Sequence, residues 1–105
     1  MEEEKIRKLQ QLEHNMQTLM MQRQSFQSQL LDIESAEREL EKPQKEIYKI
    51  MGTIMVSISQ KDIQSELTEK REILNLRVKS IEKQESSLKQ ESEKIKKEVL
   101  EKLKK

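Results

Sequence analysis

A chain of 105 residues that is 39% charged, 32% hydrophobic and 2% aromatic has room for one domain at most and too little apolar mass for an ordinary globular core. Such a composition suits either disorder or long helices with a narrow apolar seam, and periodicity decides between the two. A net charge of +1, from 21 basic and 20 acidic residues, gives no basic surplus for nucleic acid, and the lack of cysteine removes disulfides and thiolate metal sites.

The N-terminal Met1-Glu2-Glu3-Glu4 is acidic and holds no apolar run, so no signal peptide is expected. From Leu9 onward the spacing alternates three and four: Leu9, Leu12, Met16, Leu19, Arg23, Phe26, Leu30, Ile33, Glu37, Leu40. Eight of these ten positions are apolar, and a rule kept for more than four heptads is a coiled-coil seam, with Leu9, Met16, Arg23, Leu30 and Glu37 at a and the others at d. Pro43 ends the helix, because the residue before proline is pushed out of the α region. The first helical arm is thus about residues 3–41.

Between about 46 and 59 the period changes to two. Tyr48, Ile50, Ile54, Val56 and Ile58 recur at every second position around the chain's only glycine, Gly52. A β-hairpin follows, and a three-residue loop centred on Gly52 would set Tyr48 against Val56 and Ile50 against Ile54, making one face continuously apolar. The other face carries Ile47, Met51 and Met55. A single long helix through this stretch is the competing reading; Gly52 and the β-branched residues lower its propensity without forbidding it. A lone hairpin is marginal in water and has open edges, so it is expected to complete its sheet with hairpins of other subunits.

The second arm, about 60–104, opens at Ser59 as N-cap, with Asp62 three residues on. Leu67, Leu74, Ile81, Leu88 and Ile95 recur every seventh residue, with a less regular companion row of Arg71, Val78, Glu85, Ser92 and Val99. Residues 1–42 carry a net charge of −3 and residues 61–105 a net of +3, so the arms suit each other electrostatically. The expected fold is mainly α, a long antiparallel two-helix coiled coil with a single β-hairpin joining the helices. Centring it on Gly52 sets Leu30 by Leu74, Arg23 by Ile81, Met16 by Leu88 and Leu9 by Ile95. Arg23, Glu37, Glu85 and Ser92 then form polar layers that weaken the seam, their long side chains snorkelling outward.

No catalytic constellation is present, and neither enzyme activity nor a cofactor is expected. His14, the single histidine, lies at the outward heptad position f, and Glu–Lys neighbours such as Glu93 and Lys97 read as solvated helix faces. The lysines at 94, 96, 97, 102, 104 and 105 alternate with glutamates and lack aromatics for base stacking. No apolar run approaches the ~20 residues of a membrane span, and a cytoplasmic location is expected. Where the arms end together, the seam residues Leu9, Ile95 and Val99 are joined by Ile6, Leu100 and Leu103, surplus apolar side chains of the kind that mark interaction sites. The bland alternative is that Leu100 and Leu103 only continue the helix pattern.

Two long arms about the hairpin Ile47-Tyr48-Lys49-Ile50-Met51-Gly52-Thr53-Ile54-Met55-Val56 resemble a prefoldin subunit of the β type, archaeal in character. The resemblance covers nearly the whole chain, and its most specific part is Tyr48, Lys49 and Gly52, followed by Leu67, Leu74, Leu76 and Arg77. It implies an ATP-independent chaperone, a holdase built as a hexamer of two α and four β subunits whose hairpins form a β-barrel platform. Helical tips would hold unfolded polypeptides and deliver them to a group II chaperonin. Carried onto this chain, the resemblance makes Tyr48, Ile50, Gly52, Ile54, Val56 and Ile58 oligomerisation residues, and Ile6, Leu9, Val99, Leu100 and Leu103 client contacts. A structural coiled-coil tether or scaffold is the alternative function.

Overall fold

The computed structural model describes residues 2–104. Helix α1 runs Glu2–Leu40, strands β1 and β2 run Tyr48–Met51 and Ile54–Ser57, and helix α2 runs Gln60–Leu103. Two long helices with one antiparallel hairpin between them are thus present, as expected. Two compact units divide the chain: one takes residues up to Ser25 and from Arg77 onward, the other Phe26–Leu76.

Local chemistry explains the helix ends. Glu2, Glu3 and Glu4 occupy the first turn of α1, where negative charge meets the positive end of the helix dipole. At the other end, Glu41 and Lys42 donate back to the carbonyls of Arg38 and Glu39 at 3.2 and 3.3 Å, tightening the last turn ahead of Pro43. Two glutamine amides then take up carbonyls that a helix end leaves unbonded: Gln44 donates to Glu39 at 3.0 Å and Gln60 to Leu40 at 2.7 Å. Helix α2 begins at the expected cap, with the Asp62 N–H donating to Ser59 Oγ at 3.1 Å.

Within the first unit the core holds Leu12, Val78, Ile81 and Ile95, with Ser92 buried among them. Within the second it holds Ile33, Leu40 and Leu74. These are the alternating three–four positions, so the seam is where the periodicity put it. The polar seam positions differ from expectation. Arg23, expected beside Ile81, donates its Nε–H to Glu85 Oε1 at 2.7 Å in the first unit. In the second, Arg71 Nη1 donates to both oxygens of Glu37 at 3.1 and 2.9 Å. What looked like isolated weak layers are two ion pairs across the seam, because each charge finds its opposite on the facing helix.

Removing one member strands the other against apolar neighbours. Glu85→Leu is expected to cost about 1–2 kcal/mol, since a charge-assisted bond is lost while Arg23 stays mostly shielded. Arg23→Leu combined with Glu85→Leu is expected to recover stability to within about 1 kcal/mol of the parent. Thermal melting followed by helical circular dichroism checks both, and a double variant weaker than the single one would contradict this account.

The hairpin register also differs from expectation. Tyr48 pairs Ser57, Lys49 pairs Val56, Ile50 pairs Met55 and Met51 pairs Ile54, leaving a two-residue loop of Gly52 and Thr53 rather than three residues. Gly52 has φ of 61° and Thr53 is not in the positive region, which is the type II′ pattern with glycine at its first central position. Gly52→Ala meets nothing within 4 Å, so its cost is conformational alone. It is expected to destabilise the hairpin by about 1–2 kcal/mol. Tyr48 is the chain's only tyrosine and there is no tryptophan, so intrinsic fluorescence in denaturant reads this directly.

Candidate functional site

Side chains alternate across a strand, so the observed register sorts the hairpin into two faces. One carries Tyr48, Ile50, Met55 and Ser57; the other carries Ile47, Lys49, Met51, Ile54, Val56 and Ile58. On the first face the large side chains are open: Tyr48 is 51% exposed, Ile50 72% and Met55 64%. On the second, Ile47, Lys49, Val56 and Ile58 are half-buried, while Met51 and Ile54 near the turn are exposed. The six hairpin residues singled out in the sequence therefore do not share one face. Tyr48 and Ile50 point out, Val56 and Ile58 point toward the helices, Ile54 lies at the turn end of the inward face, and Gly52 is in the turn. Met55, which the sequence alone assigned to the opposite face, completes the open surface.

The backbone reinforces this division. Ile58 donates to the Ile47 carbonyl at 3.0 Å, so 47 and 58 form a hydrogen-bonded pair. Antiparallel ladders alternate, which makes 49 with 56 and 51 with 54 hydrogen-bonded pairs, and 48 with 57 and 50 with 55 the others. The N–H and C=O groups of Tyr48, Ile50, Met55 and Ser57 thus turn to the sheet edges. The same four residues offer both exposed side chains and edge hydrogen-bonding groups. Tyr48 donates its hydroxyl to Glu46 Oε2 at 2.6 Å, and that bond to a carboxylate raises its pKa above the ordinary 10.0.

At the root of the hairpin, Ile47 and Tyr48 border a shallow hollow lined also by Ala36, Leu40, Ile63 and Leu67. Lys49, the one charged residue of the inward face, reaches α2 and donates to Glu66. Lys70 lies 3.6 Å from the same carboxylate. The hydrogen bond from Lys49 holds the Glu66 carboxyl below its ordinary 4.5. The pair's contribution is therefore intact above pH 4.5 and fades as falling pH protonates Glu66.

In the first unit, Lys5 meets Glu98 at 3.3 Å and Glu2 meets Lys102 at 3.4 Å, bringing the start of α1 to the end of α2. The five expected tip residues are together there but differ in exposure. Ile6 and Leu100 are exposed and Leu103 is 75% exposed, whereas Leu9 and Val99 are half-buried in the seam. His14 is exposed. Among the described residues no group of three or more His, Cys, Asp or Glu could hold a metal ion, and no helix is long and apolar enough to cross a membrane.

A family model described as a prefoldin subunit matches residues 3–105. The prefoldin subunit beta of Archaeoglobus fulgidus is 37% identical over 87 residues, covering 81% of this chain and 75% of that one. The prefoldin subunit beta of Pyrobaculum calidifontis is 34% identical over 91 residues, covering 85% and 73%. Among solved structures, the prefoldin beta subunit from Thermococcus strain KS-1 superposes with a TM-score of 0.91 at 24% identity, over 99% of this chain and 93% of that one. The beta2 subunit of the same strain does so with a TM-score of 0.77 at 20% identity, over 83% and 95%.

Proposed function

The chain belongs to the prefoldin subunit family, and on that premise we propose that it is a β-type subunit acting as an ATP-independent holdase. The family supports a chaperone role in general, exercised in assemblies of prefoldin subunits. In the finer reading, this chain joins α-type partners and further copies of itself in a hexamer of two α and four β subunits. The hairpins form its platform, the helical tips hold unfolded polypeptides in the cytoplasm, and a group II chaperonin receives them.

The observation that carries this reading is the open hairpin face. Three large side chains, Tyr48, Ile50 and Met55, stand in solvent beside unpaired strand edges, a combination that strand addition from another chain would satisfy. Ile6, Leu100 and Leu103 supply a second apolar surface suited to extended chains without defined shape. Each tip alone is a weak binder, and several on one platform gain by avidity.

The test is suppression of aggregation. The chain is reconstituted with an α-type subunit and added, without nucleotide, to several unrelated denatured proteins. A holdase delays the aggregation of all of them at near-stoichiometric amounts. A coiled-coil tether recognises one folded partner and is inert here, and inertness toward every client would overturn the reading.

A further inference from the structure

We propose that Lys49 is a positioning residue for assembly: its tie to Glu66 sets the angle at which the hairpin presents Ile50 to a partner strand. The inference rests on the assembly reading above. Residues 41–47 on one side and 58–59 on the other join the hairpin to the helices without regular structure. Among the described residues, the Lys49–Glu66 bond is the one side-chain hydrogen bond or ion pair that crosses from either strand to a helix. The other inward side chains, Ile47, Val56 and Ile58, are apolar and only half-buried, so their packing holds the hairpin near the helices without fixing its tilt.

An ion pair is directional where apolar packing is not. Lys49 is 28% exposed and Glu66 26%, shielded enough to hold their geometry. Lys49 and Ile50 are neighbours on one strand and therefore point to opposite faces. Pinning the first from below fixes the attitude of the second above. Lys49 also belongs to a hydrogen-bonded ladder pair with Val56, so the constraint passes to both strands at once. The chemistry at this point thus contributes no surface to the partner, yet governs how well the surface fits.

The experiment measures association of the full chain with an α-type subunit, by native mass and by titration, for Lys49→Glu, Lys49→Arg and the swap Lys49→Glu with Glu66→Lys. Lys49→Glu places two carboxylates together and is expected to weaken association about tenfold while leaving helical circular dichroism unchanged. Lys49→Arg keeps the donor and is expected to stay within about twofold of the parent, and the swap to recover most of the loss. A merely structural lysine would not be rescued by exchanging the charges. Ile50→Lys serves as reference. If it dissociates the assembly while Lys49→Glu associates like the parent, or if the swap fails to recover, the positioning role is overturned. If Ile50→Lys and the parent show the same mass, the assembly reading itself falls and takes this one with it.

Discussion

Ile50→Lys is expected to give a chain that folds normally but no longer enters an oligomer, with association weakened roughly 100-fold or more. Ile50 is the most exposed of the large residues on the open hairpin face, so nothing within the chain depends on it. In an assembly it would lie at the centre of that face, between Tyr48 and Met55. A lysine there would have to bury its ammonium without a partner, a cost of several kcal/mol that recurs in every copy. Val56→Lys is a poorer test, since Val56 points inward and is half-buried, and its loss would disturb the seating of the hairpin. Thr53→Lys, in the exposed turn, is the matched control and should assemble normally. Native mass of the mixture with an α-type subunit decides the matter. Full-sized assemblies from Ile50→Lys would remove the hairpin face from the account.

The second large effect is expected at the other surface. Replacing Ile6, Leu100 and Leu103 together by glutamine should raise the concentration needed to suppress aggregation by at least about tenfold, with oligomer mass unchanged. Glutamine keeps the helices, because its helix propensity is close to that of leucine. All three side chains are exposed, so the change takes nothing from the seam, and Leu9 and Val99 remain to hold the two ends together. Each tip loses only a modest apolar contact, but avidity multiplies the loss over the tips that share a client. Undiminished suppression by the triple variant would show that clients are held elsewhere.

Most of the fold was legible in the sequence for one physical reason. A three–four alternation kept over many turns has no other stable use than a helical seam, and a switch to period two around a single glycine has few uses besides a hairpin. Two features were hidden by the same difficulty. A central Gly52 fits both a two-residue and a three-residue loop, and choosing between them depends on the backbone angle at Thr53, which no side chain announces. One residue of register decides whether Met55 or Val56 shares a face with Ile50, so the open surface was half right. Likewise Arg23, Glu37, Arg71 and Glu85 looked like separate flaws in the seam, because their pairing depends on how the two helices align. At the tips, periodicity could gather Ile6, Leu9, Val99, Leu100 and Leu103, but only coordinates separate those that face solvent from those that close the seam.

The two seam ion pairs bear on how such an arm can evolve. Arg23 and Glu37 stand two heptads apart on α1, and Arg71 and Glu85 stand two heptads apart on α2, with the signs reversed. Inserting seven residues into one helix between its charged positions would preserve every apolar repeat and still leave a guanidinium or carboxylate facing leucine. The bridges act as tally marks: growth or shortening there is tolerated only when both helices change by the same whole heptad. Arm length in this lineage is therefore a property of the two strands of the coil jointly, and point insertions in either one should be purged even where the hydrophobic pattern survives.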